Sequence, residues 1–151
     1  MKYSLVLLLL VAGHTLLAQT EATRAKHFNT EDKLALEGYD PVSYFQRGPV
    51  KGSSSRKFEY KGVVYHFTSA DNLALFKANP EKYEPAYGGW CAYAMGDTGE
   101  KVKVDLETYK IIDGKVYLFY NFWGNNTLKS WNRDEASLKS RGDQNWNKLF
   151  R

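Results

Sequence analysis

The chain carries one cysteine, four prolines and three histidines in 151 residues, and each scarcity closes a class of explanation. A lone thiol forms no intramolecular disulfide and is too little for a four-cysteine zinc module, so the fold is held by packing. Four prolines and 12 glycines are too few for a low-complexity linker. With His14 in the first segment, only His27 and His66 remain to serve a nucleophile, and no GxSxG elbow, HExxH helix or phosphate loop accompanies them. Hydrolase chemistry of the familiar kinds has no motif to rest on. Blocks of one charge are missing too. The 21 Lys+Arg and 17 Asp+Glu give a net charge of +4, and acidic residues are interleaved among Lys51, Arg56, Lys57, Lys61, Lys101, Lys103 and Lys110. That is a solvated surface rather than a nucleic-acid face.

What is present begins with an address. Lys2, the apolar run from Leu5 to Gly13 and the small residue Ala18 read as a signal peptide over residues 1–18. The run is shorter than the ~20 apolar residues of a membrane-spanning helix. The expectation is an extracytoplasmic protein, periplasmic or secreted, with no stable membrane insertion after cleavage. Residues 19–33 form a polar N-terminal segment, and 34–151 form one domain, for which no repeat or second unit is visible.

Hydrophobic patterning in that domain predicts an α+β fold, a small single domain with two β-hairpins in antiparallel sheet, several short helices and a helical C-terminus. Phe58–Tyr60 and Val63–Phe67 flank Lys61-Gly62, while Tyr109–Ile112 and Lys115–Tyr120 flank Asp113-Gly114, a favoured type I′ dipeptide. Asp40 reads as an N-cap with Pro41 following, and Ser69 caps a helix through Asn72, Leu73, Leu75 and Phe76 that ends at Pro80. The basic, serine-rich stretch 47–57 reads as a mobile loop. Late amphipathic helices carry Leu128, Trp131, Leu138, Trp146 and Leu149, with breaks near Arg133 and Gly142. The sequon at Asn125 to Thr127 receives no role.

Five ordered blocks between Leu34 and Trp146 resemble the YHS-domain family in its secreted form: LALEGYDPVSYF, FEYKGVVYHFTS, the Asn72 to Tyr83 stretch with NPEKY, YGGWCA, and IIDGK with VYLF, followed by two late tryptophans. The resemblance implies a small mixed α/β module. Related modules in copper-exporting ATPases and other metal-linked proteins carry cysteines thought to bind metal. In the neighbourhoods where those forms have cysteines, this chain has Ser43, Thr68 and Asn72. What it has instead is Cys91 in the YGGWCA block.

Three readings of Cys91 compete. In one it is a buried packing residue, which is the commonest state of a free cysteine. In the second it holds a soft metal, copper first. Met95 is four residues on and would share a helical face with it, and His66 would add a third ligand. In the third, Gly88 and Gly89 let backbone approach a ligand, so that Cys91 is a reactive or ligand-contacting thiol at a helix start. The leading expectation is a binding protein rather than an enzyme, with Cys91, Met95 and His66 as metal ligands. The alternative is a structural or small-ligand module, and cysteine-centred redox activity comes third. Tyr39, Asp40, Tyr87, Gly88, Gly89 and Trp90 are the candidate ligand-binding residues, since with Tyr93 the rings of these blocks could wall a pocket around the thiol. The same rings serve equally to build the core of a small domain.

Overall fold

The computed structural model describes residues 20–151, so the signal peptide expected over residues 1–18 lies outside the described residues. Residues 20–27 form helix α1, and a short antiparallel pair follows, β1 (Thr30–Glu31) and β2 (Leu34–Ala35). Two hydrophobic runs then pair as predicted. Strands β3 (Ser53–Tyr60) and β4 (Val63–Phe67) are antiparallel, with Tyr60 opposite Val63. Strand β2 joins the far side of β4 in parallel at Leu34 and Val64, giving the sheet order β1-β2-β4-β3. The second hairpin, β5 (Asp105–Ile112) and β6 (Lys115–Phe119), forms a separate sheet, and β7 (Asn121–Phe122) pairs with β8 (Asn125–Asn126).

Each tight turn between these strands holds two residues at positive φ. Lys61-Gly62, Asp113-Gly114 and Trp123-Gly124 do so with glycine second, the geometry that matches the twist of a hairpin. Asp32-Lys33 does so without glycine.

Between the hairpins, α2 (Ala70–Ala78) starts where Ser69 Oγ accepts the amide of Asn72 at 3.1 Å. It lays Phe76 against the first sheet, where that fully buried ring lies 4.8 Å from Tyr65 and 5.2 Å from Phe67, centroid to centroid. Pro80 ends α2 and opens α3 (Pro80–Tyr83), because a proline at a first helical position loses no hydrogen bond. A one-turn segment at Ala86–Gly89 leads to α4 (Ala92–Asp97), and α5 (Thr127–Trp131) and α6 (Glu135–Lys148) close the chain.

Three expectations are corrected. Ser53 to Lys57 belongs to β3, with an irregular register between these two residues, rather than to a loop. Gly142 lies inside α6 and breaks nothing. A Cβ there would stand 2.7 Å from Tyr87 Oη, so the glycine serves close approach. The polar N-terminal segment is part of the packed unit, since Phe28 is buried in the main cluster and Arg24 is paired with Glu84.

The core has two parts. The larger gathers Tyr65, Phe67 and Phe76 with Cys91, Val116 and Leu118. The smaller gathers Ala92, Met95, Phe119, Trp131 and Leu138. Strand β6 divides them, because successive side chains of a strand point to opposite faces. Among the described residues no helix is long and apolar enough to cross a membrane.

Candidate functional site

Cys91 is fully buried and stands just before α4 with extended ψ, as its N-cap. Its amide donates to Val102 O at 2.9 Å and its carbonyl accepts the first helical hydrogen bond, from the Met95 amide at 3.0 Å. Because the backbone turns at this position, Cys91 and Met95 do not share a helical face. The thiol enters the larger cluster beside Leu118, and Met95, also fully buried, enters the smaller one.

The sulfur is hydrogen-bonded on both sides. Tyr120 N–H donates to Sγ at 3.3 Å, and Thr127 Oγ1 lies 3.5 Å away. Thr127 Oγ1 donates its own proton to Tyr120 O at 2.9 Å, so the thiol proton is the one left for the Cys91 to Thr127 contact. The sulfur is thereby held in place inside the core.

His66 stands elsewhere. It lies opposite Lys57 in the first hairpin, half-buried, with its ring over Gly38, where a Cβ would be 3.2 Å from Nδ1. Burial first, and Lys57 second, hold its pKa below the ordinary histidine value. It faces an open groove of about 580 Å³ that also meets Glu37, Lys51 and Lys57. The three residues expected to share a soft metal thus occupy two core clusters and an outer groove. Among the described residues no three His, Cys, Asp or Glu side chains gather closely enough to hold a metal ion.

Asp40 is a second internal centre. Fully buried, its carboxylate accepts from Val42 N at 2.9 Å, Thr68 N at 2.8 Å, Thr68 Oγ1 at 2.7 Å and Asn72 Nδ2 at 2.7 Å. A buried charge is tolerated when hydrogen bonds replace water this completely. Ser43 Oγ donates to Asp40 O at 2.7 Å and Gln46 Nε2 to Asn72 Oδ1 at 3.0 Å. Thr68 and Asn72 therefore converge on the Asp40 carboxylate and Ser43 on the backbone carbonyl of the same residue, and together they lock the 40–46 turn to β4 and α2. Asp40 does more than cap a turn.

The YGGW block divides its remaining side chains between two openings. Tyr87, Gly88 and Gly89 all have positive φ, as do Leu36, Glu37 and Gly38, and Asn29 braces the first of these two left-handed turns. Its amide donates to Gly88 O at 2.9 Å and its side chain to Gly89 O at 3.1 Å. A cleft of about 220 Å³ lies between the turns, with Leu36, Glu37, Gly89, Trp90, Val104 and Leu106 on its walls. Trp90 Nε1 is fixed by His27 O at 2.7 Å.

On the other side, Tyr87 and Gly88 face a cavity of about 260 Å³. Gly88 leaves its space to Trp146 and Phe28, whose atoms come within 2.7 and 3.0 Å of a Cβ placed there. Tyr39 takes part in neither opening and packs beside Lys51, whose Nζ is 5.8 Å from its ring centroid. Neither opening includes Cys91 in its lining, so the rings do not wall a pocket around the thiol.

A mixed α+β domain that knots its central turns around a buried carboxylate and keeps its thiol inside is a small scaffold with open clefts. Residues 40–87 of it match the family model of the YHS domain. No curated protein and no solved structure matches the chain. The matched stretch spans the Asp40 centre, β3, β4, α2 and α3 and ends inside the YGGW block. It contains His66 but no cysteine and no methionine.

Proposed function

We propose that the chain is an exported small-ligand-binding module in which Cys91 is a structural thiol. Export is carried by the basic, apolar and small-residue order of residues 1–18. The binding reading is supported by the two openings at the YGGW block, whose turns are held in left-handed backbone that non-glycine residues rarely adopt without tertiary support. The observation that carries the role of Cys91 is its sulfur, fully buried and hydrogen-bonded to both Tyr120 N and Thr127 Oγ1.

Copper capture at Cys91 is the competing reading, favoured by the general link of YHS domains with metal. It requires the core to open, since thiolate ligation removes the proton shared with Thr127 and needs donors that neither Met95 nor His66 brings to the sulfur. An anaerobic Cu(I) titration of the purified chain separates the two. The structural reading expects no stoichiometric Cu(I) complex that Cys91→Ala abolishes, and such a complex at one equivalent would overturn it. Export is tested by the same chain produced with its first 18 residues, where retention in the cytoplasm would remove that part.

A further inference from the structure

The cavity beside Tyr87 and Gly88 is built from four parts of the chain, and its lining carries two cations, Arg24 and Lys115, and two carboxylates, Glu84 and Asp143, the latter also paired with Lys139 from outside the lining. Arg24 comes from α1 and Phe28 from just after it, Lys115 and Tyr117 from β6, Asp143 and Trp146 from α6, with Glu84 beside them. Glu84, only 5% exposed, accepts from Arg24 Nη2 at 2.5 Å and from Tyr65 Oη at 2.6 Å, both on Oε1. Asp143 accepts from Tyr87 Oη at 2.9 Å and from Lys139 Nζ at 3.2 Å. Each carboxylate is therefore matched by one cation, Arg24 or Lys139.

Lys115 is left over. Its Nζ donates to the backbone carbonyl of Glu81 at 2.5 Å, and among the described residues no carboxylate pairs with it. An ammonium has three donors, so two remain, and Arg24 Nη1 is likewise without a partner among the described residues. Glu84 Oε2 is the carboxylate oxygen of the lining that no hydrogen bond engages among the described residues. Burial, with Arg24 adding to it, lowers the Lys115 pKa, while Glu84 and Glu81 act against that shift. Above the cations the walls are rings, with Tyr87 5.6 Å from Tyr117 and Phe28 5.7 Å from Trp146 between centroids.

We propose that this cavity binds a small organic carboxylate, its anionic end on Lys115 and the free Arg24 Nη1 and its apolar body against Phe28, Tyr87, Tyr117 and Trp146. A volume of about 260 Å³ lies just under the ~300 Å³ where small-molecule sites begin, which suits a single-ring or short-chain acid. This rests on the reading of the chain as a binding module and names its ligand class.

The test uses the purified full chain and sodium benzoate as probe, with benzamide as the neutral isostere and benzylammonium as the cation. Binding is read from amide chemical shifts and tryptophan fluorescence. Benzoate is expected to saturate, shifting the amides of Gly88, Lys115 and Tyr117. Benzamide and the Lys115→Met variant, which keeps the apolar stem, are expected to bind about tenfold more weakly, the loss of one charge-assisted hydrogen bond. Equal binding of benzamide or benzylammonium, shifts confined to the Gly89 and Trp90 cleft, or no saturation by about 10 mM would overturn the proposal. The wild-type shift map stands even where Lys115→Met fails to fold. Failure here with shifts at the other cleft leaves the binding-module reading intact, whereas Cu(I) bound at Cys91 removes that reading itself.

Discussion

Replacing Cys91 distinguishes a structural thiol from a working one, because a structural thiol predicts a loss of stability with either alanine or serine. Cys91→Ala removes one buried sulfur, worth about 1 kcal/mol as lost packing. It also leaves the Tyr120 N–H without its acceptor, at about 1–2 kcal/mol. The sum, about 2–3 kcal/mol, corresponds to a fall in Tm of roughly 6–15 °C for a domain of this size. Serine does no better. Its oxygen prefers partners at about 2.7–3.2 Å, whereas the sulfur sits 3.3 and 3.5 Å from its two, and the hydroxyl is costlier to bury. Scanning calorimetry of both variants is the assay, paired with thiol labelling of the wild-type chain by an aromatic disulfide. Labelling of the native chain is expected to be at least about a thousandfold slower than in denaturant, since the sulfur reacts only on opening of the core. Native labelling within tenfold of the denatured rate, or a Cys91→Ser variant as stable as wild type, would refute the reasoning.

Asp40→Asn keeps the shape of the side chain but turns one acceptor into a donor facing Thr68 and Asn72, and a loss of about 3–5 kcal/mol is expected in a urea melt. Gly96→Ala sets a Cβ 2.4 Å from Leu138 O, backbone of α6 that cannot turn aside, so α4 and α6 must part at about 3 kcal/mol or more; a Tm within about 2 °C of wild type would contradict that contact. Trp123 is 97% exposed at φ 56°, first residue of a type I′ turn, and Trp123→Asn should raise stability by about 0.5–1 kcal/mol by chemical denaturation. Acid acts through His27, whose Nδ1 lies 2.8 Å from Lys101 Nζ and whose pKa is lowered, by burial first and then by Lys101 and Lys26. A histidine with a depressed folded pKa contributes stability that is complete above its unfolded value near 6.5 and is lost as pH falls through the lower folded value. Tm should therefore drop on acidification from pH 7.5, and His27→Gln should flatten part of that slope, with His66, which shifts the same way, contributing as well.

Local chemistry was legible and distant chemistry was not. Ser69, Pro80, Lys61-Gly62 and Asp113-Gly114 act within a few residues, and each sits where its own backbone preference puts it. The turn at Asp32-Lys33 has no glycine to announce it, and Trp123-Gly124 is hidden because tryptophan is an unlikely first residue at positive φ. Gly142 looked like a helix break because its reason, the Tyr87 hydroxyl, lies far along the chain. The same limit governs the site. Ser43, Thr68 and Asn72 could be marked as replacements for cysteines, but their convergence on Asp40 spans separations of 28 and 32 residues and exists only after β4 and α2 have docked. The i,i+4 spacing of Cys91 and Met95 was visible, and it misled because the first residue is a cap rather than a helical position.

The placement of the thiol and of the cavity follows from one arrangement of β6. Val116 and Leu118 point into the larger cluster, where Leu118 bridges to Cys91, while Tyr117 and Phe119 point into the smaller. Lys115 stands at the mouth of the strand, on the same side as Tyr117, and is thereby delivered to the cavity under Trp146. A strand with period two thus assigns sulfur to one face and the unpaired ammonium to the other. A change that shifted β6 by one residue would exchange the faces, burying Lys115 with its charge unmatched and exposing apolar side chains. The Asp113-Gly114 turn prevents this by pinning Ile112 opposite Lys115, so the same dipeptide that made the hairpin readable also holds the cation at the cavity and leaves the thiol to the core.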